Sequence, residues 1–150
     1  MTLSRWIASG AGIGHFPAAP GTAASLAALL IGAIAFAVST PLLLILALAA
    51  ILFGTWAIHA TEEPGDPGWI VIDEVAGQWI AILGLSHVSI PGLIAAFALF
   101  RVLDIVKPGP IGWADKQHHA IGVMADDVLA GMIAAALLFA TRSLIPGLNL

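Results

Sequence analysis

Two pairs of adjacent acids, Asp73-Glu74 and Asp126-Asp127, stand beside long apolar runs, and Asp66 and Asp104 lie at comparable depth on neighbouring segments. A charged side chain in hydrocarbon costs at least about 2.5–3.5 kcal/mol on insertion scales, so six such carboxylates persist only where partners or a function compensate. A divalent cation compensates well. The chain has no cysteine, which excludes thiolate ligands and disulfides and leaves hard oxygen donors. Such donors suit Mg²⁺, which is usually held by one or two carboxylates together with waters and phosphate oxygens. Asp73, Glu74, Asp126, Asp127 and Asp66 are the candidate ligands. Asp73, Glu74, Asp104, Asp126 and Asp127 are the candidates for catalytic work. A plainer reading sets acids at helix starts, where the macrodipole favours each by about 0.3–1 kcal/mol. That accounts for one pair, but mutual repulsion among six acids on one face exceeds the dipole gain unless cations intervene.

Arg101, Asp104 and Lys107 recur at i, i+3 and i+6, so the first two share a helical stripe and Lys107 sits just past it, before Pro108. Arginine grips a phosphate bidentately and lysine supplies a point charge. The same three residues also serve as a salt-bridged stripe that lets a polar helix end enter a membrane. The stretch Gly10–Thr22 (GAGIGHFPAAPGT) feeds the start of the first long apolar run, where free backbone N–H groups can receive an anion. Gly21 and Thr22 are therefore candidate phosphate contacts, although the stretch is no P-loop and alone reads as an interfacial loop. His118 and His119 can shuttle protons or bind metal, but read more simply as loop residues. Asp73 to Gly77 and Asp127 to Gly131 are each spaced i, i+4. With Ala130, these small residues let two helix backbones approach closely and bring the acids together.

The elements that must position these groups are membrane helices. Of 150 residues, 60% are hydrophobic and 9% charged, with a mean hydropathy of +1.03; soluble domains carry roughly 25% charged residues. This composition speaks against a water-soluble globule, and the long Ala- and Leu-rich runs do not alternate as barrel strands do. The expectation is one all-α domain over residues 1–150, a polytopic membrane helical bundle of about five spans. Span one opens at Pro20-Gly21-Thr22, with Thr22 as N-cap, and runs to Val38. Span two runs from Leu42 to about Ile58, and His59–Gly68 reads as an exposed loop. Span three covers Trp69–Leu85, and a turn at Ser86–Pro91 leads to a shorter fourth run from Gly92 to Asp104. Its charged end is expected to face the bundle interior or a wet cavity. Pro108 and Pro110 begin a loop holding Trp113, Asp115 and Lys116. Asp126 or Asp127 then opens the last helix, Val128 to about Ile145. Met1–Phe16 lacks the pattern of a signal peptide and reads as mature sequence.

Folded up and down, this path places segments 1–22, 59–74 and 101–127 on one face. That face carries thirteen of the fourteen charged residues, with Arg142 alone opposite. Arg5, Arg101, Lys107 and Lys116 against that single arginine make the shared face cytoplasmic by the positive-inside rule. No nucleic-acid partner is expected, and the oligomeric state is left open.

Four blocks in order, PAAPGT (17–22), DPGWIVIDEVAGQ (66–78), FRVLDIVKPGPI (100–111) and GVMADDVLAG (122–131), resemble the phosphatidylglycerophosphatase A family of bacterial lipid phosphatases. The sequence departs from the family pattern at Ala24, where glycine is usual, and at His119-Ala120, which replace a glycine pair. The resemblance implies an inner-membrane, multi-pass enzyme with a cytoplasmic-facing, Mg²⁺-dependent site. It would hydrolyse phosphatidylglycerophosphate to phosphatidylglycerol and inorganic phosphate. In that reading water attacks phosphorus, Arg101 and Lys107 stabilise the phosphoryl oxygens, and Asp104 orients Arg101 or ligates. The main rival is a small proton- or cation-coupled transporter, which would place its acids near the bilayer midplane. A scaffold for anionic headgroups would instead need an excess of cations.

Overall fold

A computed structural model of the chain describes residues 1–145. It is all-α, with no strand among the described residues. The helices are α1 (Leu3–Ala8), α2 (Pro20–Val38), α3 (Thr40–Thr61), α4 (Ile72–Ile82), α5 (Ile90–Val106), α6 (Pro110–Asp115) and α7 (Ala120–Leu144). A 3₁₀ turn at Ile13–His15 joins α1 to α2.

Among the described residues three helices, α2, α3 and α7, are long and apolar enough to cross a membrane, as in a helical membrane protein. The 17 residues of α5 reach about 25 Å at roughly 1.5 Å per residue, close to the hydrocarbon thickness of about 30 Å. The 11 residues of α4 reach only about 16 Å by the same rise. The third apolar run is thus not one helix over Trp69–Leu85. The N–H of Ile70 donates to Pro67 O and that of Val71 to Ala8 O, which holds residues 69–71 off the helix and against α1.

Serines set the tight returns. Ser39 ends α2 and also caps α3, its Oγ accepting from Leu42 N at 3.2 Å. Ser89 caps α5 in the same way, accepting from Gly92 N at 3.1 Å. Two expected helix starts are corrected. Pro20 is the first residue of α2, where its fixed φ suits a helical first turn, so Thr22 lies inside that turn and is not the N-cap. Helix α7 begins at Ala120, capped by the His119 ring, whose Nδ1 accepts from Gly122 N at 3.1 Å. Asp126 and Asp127 therefore lie in its second turn rather than opening it. The expected loop after Pro108 likewise contains the short α6.

Helix α4 is the hub, packing on α2, α3, α5 and α7. Its Ala76, Gln78, Ala81 and Ile82 are all fully buried. Large side chains such as Leu30, Ile34, Leu52 and Phe53 point outward, as expected where the surrounding solvent is lipid and as apolar as the core.

Candidate functional site

Glycines bring the acids together. A Cβ on Gly131 of α7 would lie 3.0 Å from Gly77 Cα and C, and one on Gly77 would lie 2.6 Å from Asp127 O. The two backbones are in contact because neither residue has a side chain. Asp73 and Asp127 sit one turn before those glycines, and both are almost wholly buried. With Glu74 they form a group of three carboxylates whose oxygens lie within 4.8 Å of one another. Asp73 Oδ1 and Glu74 Oε2 are buried without a hydrogen-bond partner among the described residues. Three acids at this separation repel unless a positive charge is shared among them. Unpaired oxygens on an all-carboxylate donor set fit a hard metal ion, so this cluster can hold one.

Arg101 closes the α5 side. Its Nη1 donates to Asp104 Oδ2 at 2.5 Å and lies 4.0 Å from Glu74 Oε1, while Nη2 reaches Thr22 Oγ1 at 3.4 Å. Nη1 also lies 3.5 Å from Ser25 Oγ, which donates to Gly21 O at 2.8 Å. Asp104 is buried, so the charged end of α5 does turn into the bundle. The start of α2, the first turn of α4 and the end of α5 thus converge on one guanidinium.

Lys107 follows α5 with a left-handed φ of 49°. Its Nζ donates to Asp126 Oδ2 at 2.6 Å and also binds Asp115. Burial alone would lower its pKa, but the hydrogen bonds and charges of Asp115 and Asp126 outweigh that and raise it. Asp126 is thereby turned toward Lys107 and stands outside the three-acid group. Its Oδ1 accepts from Asp127 N at 2.9 Å. Asp66 is exposed, on the segment between α3 and α4. Its pKa is pushed up by the protein crowding its carboxyl, opposed by Lys107 and reinforced by Asp104 and Asp115, and it stands outside the three-acid group. His118 is exposed, and the Nδ1 of His119 is used as a helix cap. Arg5 pairs with Glu63 and lies 5.4 Å over the Trp69 ring, tying α1 to that loop.

Gly21 packs directly beneath this arrangement: a Cβ there would overlap Glu74 Oε1 and lie 3.5 Å from Arg101 Nη1. Gly21→Ala should displace the Glu74 carboxylate and lower turnover by about 10- to 100-fold, since a shift near 1 Å in a reacting array costs on that order. Steady-state rates beside thermal unfolding check this, the expected result being slower turnover with nearly unchanged stability. Two polar residues of the site were not singled out in sequence. Ser25 could have been found by its i+4 spacing from Gly21, and Gln78 by its i+4 spacing from Glu74.

Residues 6–142 match the family model for phosphatidylglycerophosphatase A. Phosphatidylglycerophosphatase A of Escherichia coli (strain K12) is 36% identical over 137 residues, covering 89% of this chain and 80% of that protein. The Haemophilus influenzae protein of the same name is 38% identical over 141 residues, covering 91% and 86%. A Bacteroides thetaiotaomicron protein, provisionally named a phosphatidylinositol-3-phosphatase, is 39% identical over 150 residues, covering 91% of each chain. No solved structure matches the chain.

Proposed function

The chain belongs to the phosphatidylglycerophosphatase A family, and from this we propose that it removes the terminal phosphate of phosphatidylglycerophosphate, releasing phosphatidylglycerol and inorganic phosphate. The observation that carries the reading is the three-acid group at one end of the bundle, with Arg101 beside it. A lipid whose tails stay in the bilayer can present a headgroup phosphate at that depth.

Asp73, Glu74 and Asp127 would hold Mg²⁺, which when bound supplies Lewis acidity toward a phosphoryl oxygen and toward an attacking water. Arg101, held by Asp104 and Thr22, turns its guanidinium toward the phosphoryl oxygens and stabilises charge as it shifts during transfer. Asp104 thus acts on the reaction by orienting Arg101. Lys107, fixed between Asp115 and Asp126, adds a second positive charge at the rim. Gly21 leaves room for Glu74, and its neighbour Thr22 gives Arg101 a neutral anchor. Water forms the new P–O bond, the bond to the glycerol oxygen breaks with its electron pair, and that oxygen leaves as a hydroxyl after taking a proton. With no cysteine in the chain no thiolate nucleophile is available, and direct attack by water is the simplest route. Net retention of configuration at an isotopically chiral phosphorus would contradict it, because direct attack by water inverts that centre once.

The face bearing Arg5, Arg101, Lys107 and Lys116 is read as cytoplasmic in a bacterial inner membrane. The end-on position of the acids favours an enzyme over a transporter, whose ion path would run near the midplane. Arg101→Lys keeps the charge but loses the planar fork. It should lower kcat/KM by about 10- to 100-fold, as expected for one stabilising donor lost or misplaced. Rates in detergent micelles at saturating Mg²⁺ check it.

The substrate assignment is tested by giving the purified protein phosphatidylglycerophosphate and, separately, phosphatidylinositol 3-phosphate. Faster phosphate release from the first is expected. A clear preference for the second would move the specificity to the other lipid phosphomonoester named among the relatives.

A further inference from the structure

Gln78 lies on α4 one turn past Glu74 and is fully buried, and neither its amide nitrogen nor its amide oxygen has a hydrogen-bond partner among the described residues. An amide sealed off without partners is disfavoured against an apolar side chain of the same size, and more so at membrane depth. The other unpartnered buried carboxylate oxygens, Asp73 Oδ1 and Glu74 Oε2, are on the preceding turn of the same helix. Helical side chains lean toward the N-terminus, and residues i and i+4 share a face, so the Gln78 amide is directed onto the turn that carries Glu74. The adjacent Gly77 position is closed by Phe100 and the Asp127 carbonyl. The other Glu74 oxygen, Oε1, already faces Arg101.

We infer that Gln78 is a positioning residue for the cation site: in the loaded protein its amide N–H donates to Glu74 Oε2 and fixes that carboxylate toward the ion. A carboxylate oxygen accepts at more than one lone pair, so a bond from Gln78 leaves Oε2 free to ligate. Partners of this kind, which orient a ligand without touching the metal, typically change metal affinity by about 10- to 100-fold. The inference rests on the reading that Asp73, Glu74 and Asp127 hold a divalent cation.

Gln78→Met keeps length and volume while removing the amide. Mn²⁺ titration of the purified protein in detergent, followed by electron paramagnetic resonance, is expected to show the dissociation constant rising by about 10- to 100-fold. The melting temperature of the metal-free variant should not fall. The Mg²⁺ concentration for half-maximal activity should rise by a similar factor, with KM for the lipid unchanged. Gln78→Asn keeps the amide but shortens its reach, should also weaken binding, and serves if the Met variant does not fold. Wild-type Mn²⁺ affinity in either folded variant would overturn the inference and leave the cation reading standing. A wild-type protein that binds no Mn²⁺ would overturn both.

Discussion

Asp127→Asn should reduce phosphate release from phosphatidylglycerophosphate by about 10³-fold or more, because it removes a negative charge and one ligating oxygen from the cation site. The effect follows from geometry: Asp127 is almost wholly buried and is the member of the three-acid group supplied by α7. Its loss leaves both remaining ligands on one turn of α4. The same substitution should leave the metal-free protein as stable as wild type or more so, since it relieves repulsion among buried like charges. Mg²⁺ should then stabilise the variant less than wild type, because a ligand that binds only the folded state stabilises by an amount that rises with the logarithm of its affinity. Melting curves with and without Mg²⁺, read beside rates, separate a lost ligand from a damaged fold. Asp73→Asn should behave alike. A variant at Asp127 with near-normal turnover would remove this carboxylate from the centre.

Gly131→Val carries the second large effect and reaches the same centre through packing. A Cβ at residue 131 meets the Gly77 backbone, which cannot move aside as a flexible side chain would. Overpacking of this sort costs typically about 1–3 kcal/mol, and more where backbone must shift. Prising α7 from α4 also separates Asp127 from Asp73, so turnover should fall by about 100-fold or more even in molecules that remain folded. The check is a lowered melting temperature together with a rate loss that saturating Mg²⁺ does not restore. Full activity in Gly131→Val would mean that the contact of α4 with α7 does not set the distance between the acids.

The i, i+4 pairing of acids with glycines was legible because it depends only on helix periodicity, and Asp73–Gly77 and Asp127–Gly131 face each other as that spacing implies. The stripe of Arg101 and Asp104 was legible for the same reason. Helix boundaries were less so. Asp126 and Asp127 look like N-cap residues, but a histidine ring acceptor at His119 starts α7 earlier and carries both acids inside the helix. Asp126 is then claimed by Lys107, a pairing 19 residues apart in sequence that no local pattern encodes. The shortness of α4 was hidden because residues 69–71 are as apolar as a helix would be, while a hydrogen bond from Val71 N to Ala8 O, far away in sequence, keeps them out of the helix. Gln78 stands i+4 from Glu74, a spacing visible in sequence, but only its burial with no amide partner among the described residues gives that spacing weight.

The most direct test strips the purified protein with EDTA, then follows phosphate release from phosphatidylglycerophosphate as Mg²⁺ is restored. A shared ion between α4 and α7 predicts no release when stripped and a saturable return in wild type. Asp127→Asn should stay near background throughout that range. Undiminished release from the stripped wild-type protein would contradict a cation-dependent centre at Asp73, Glu74 and Asp127.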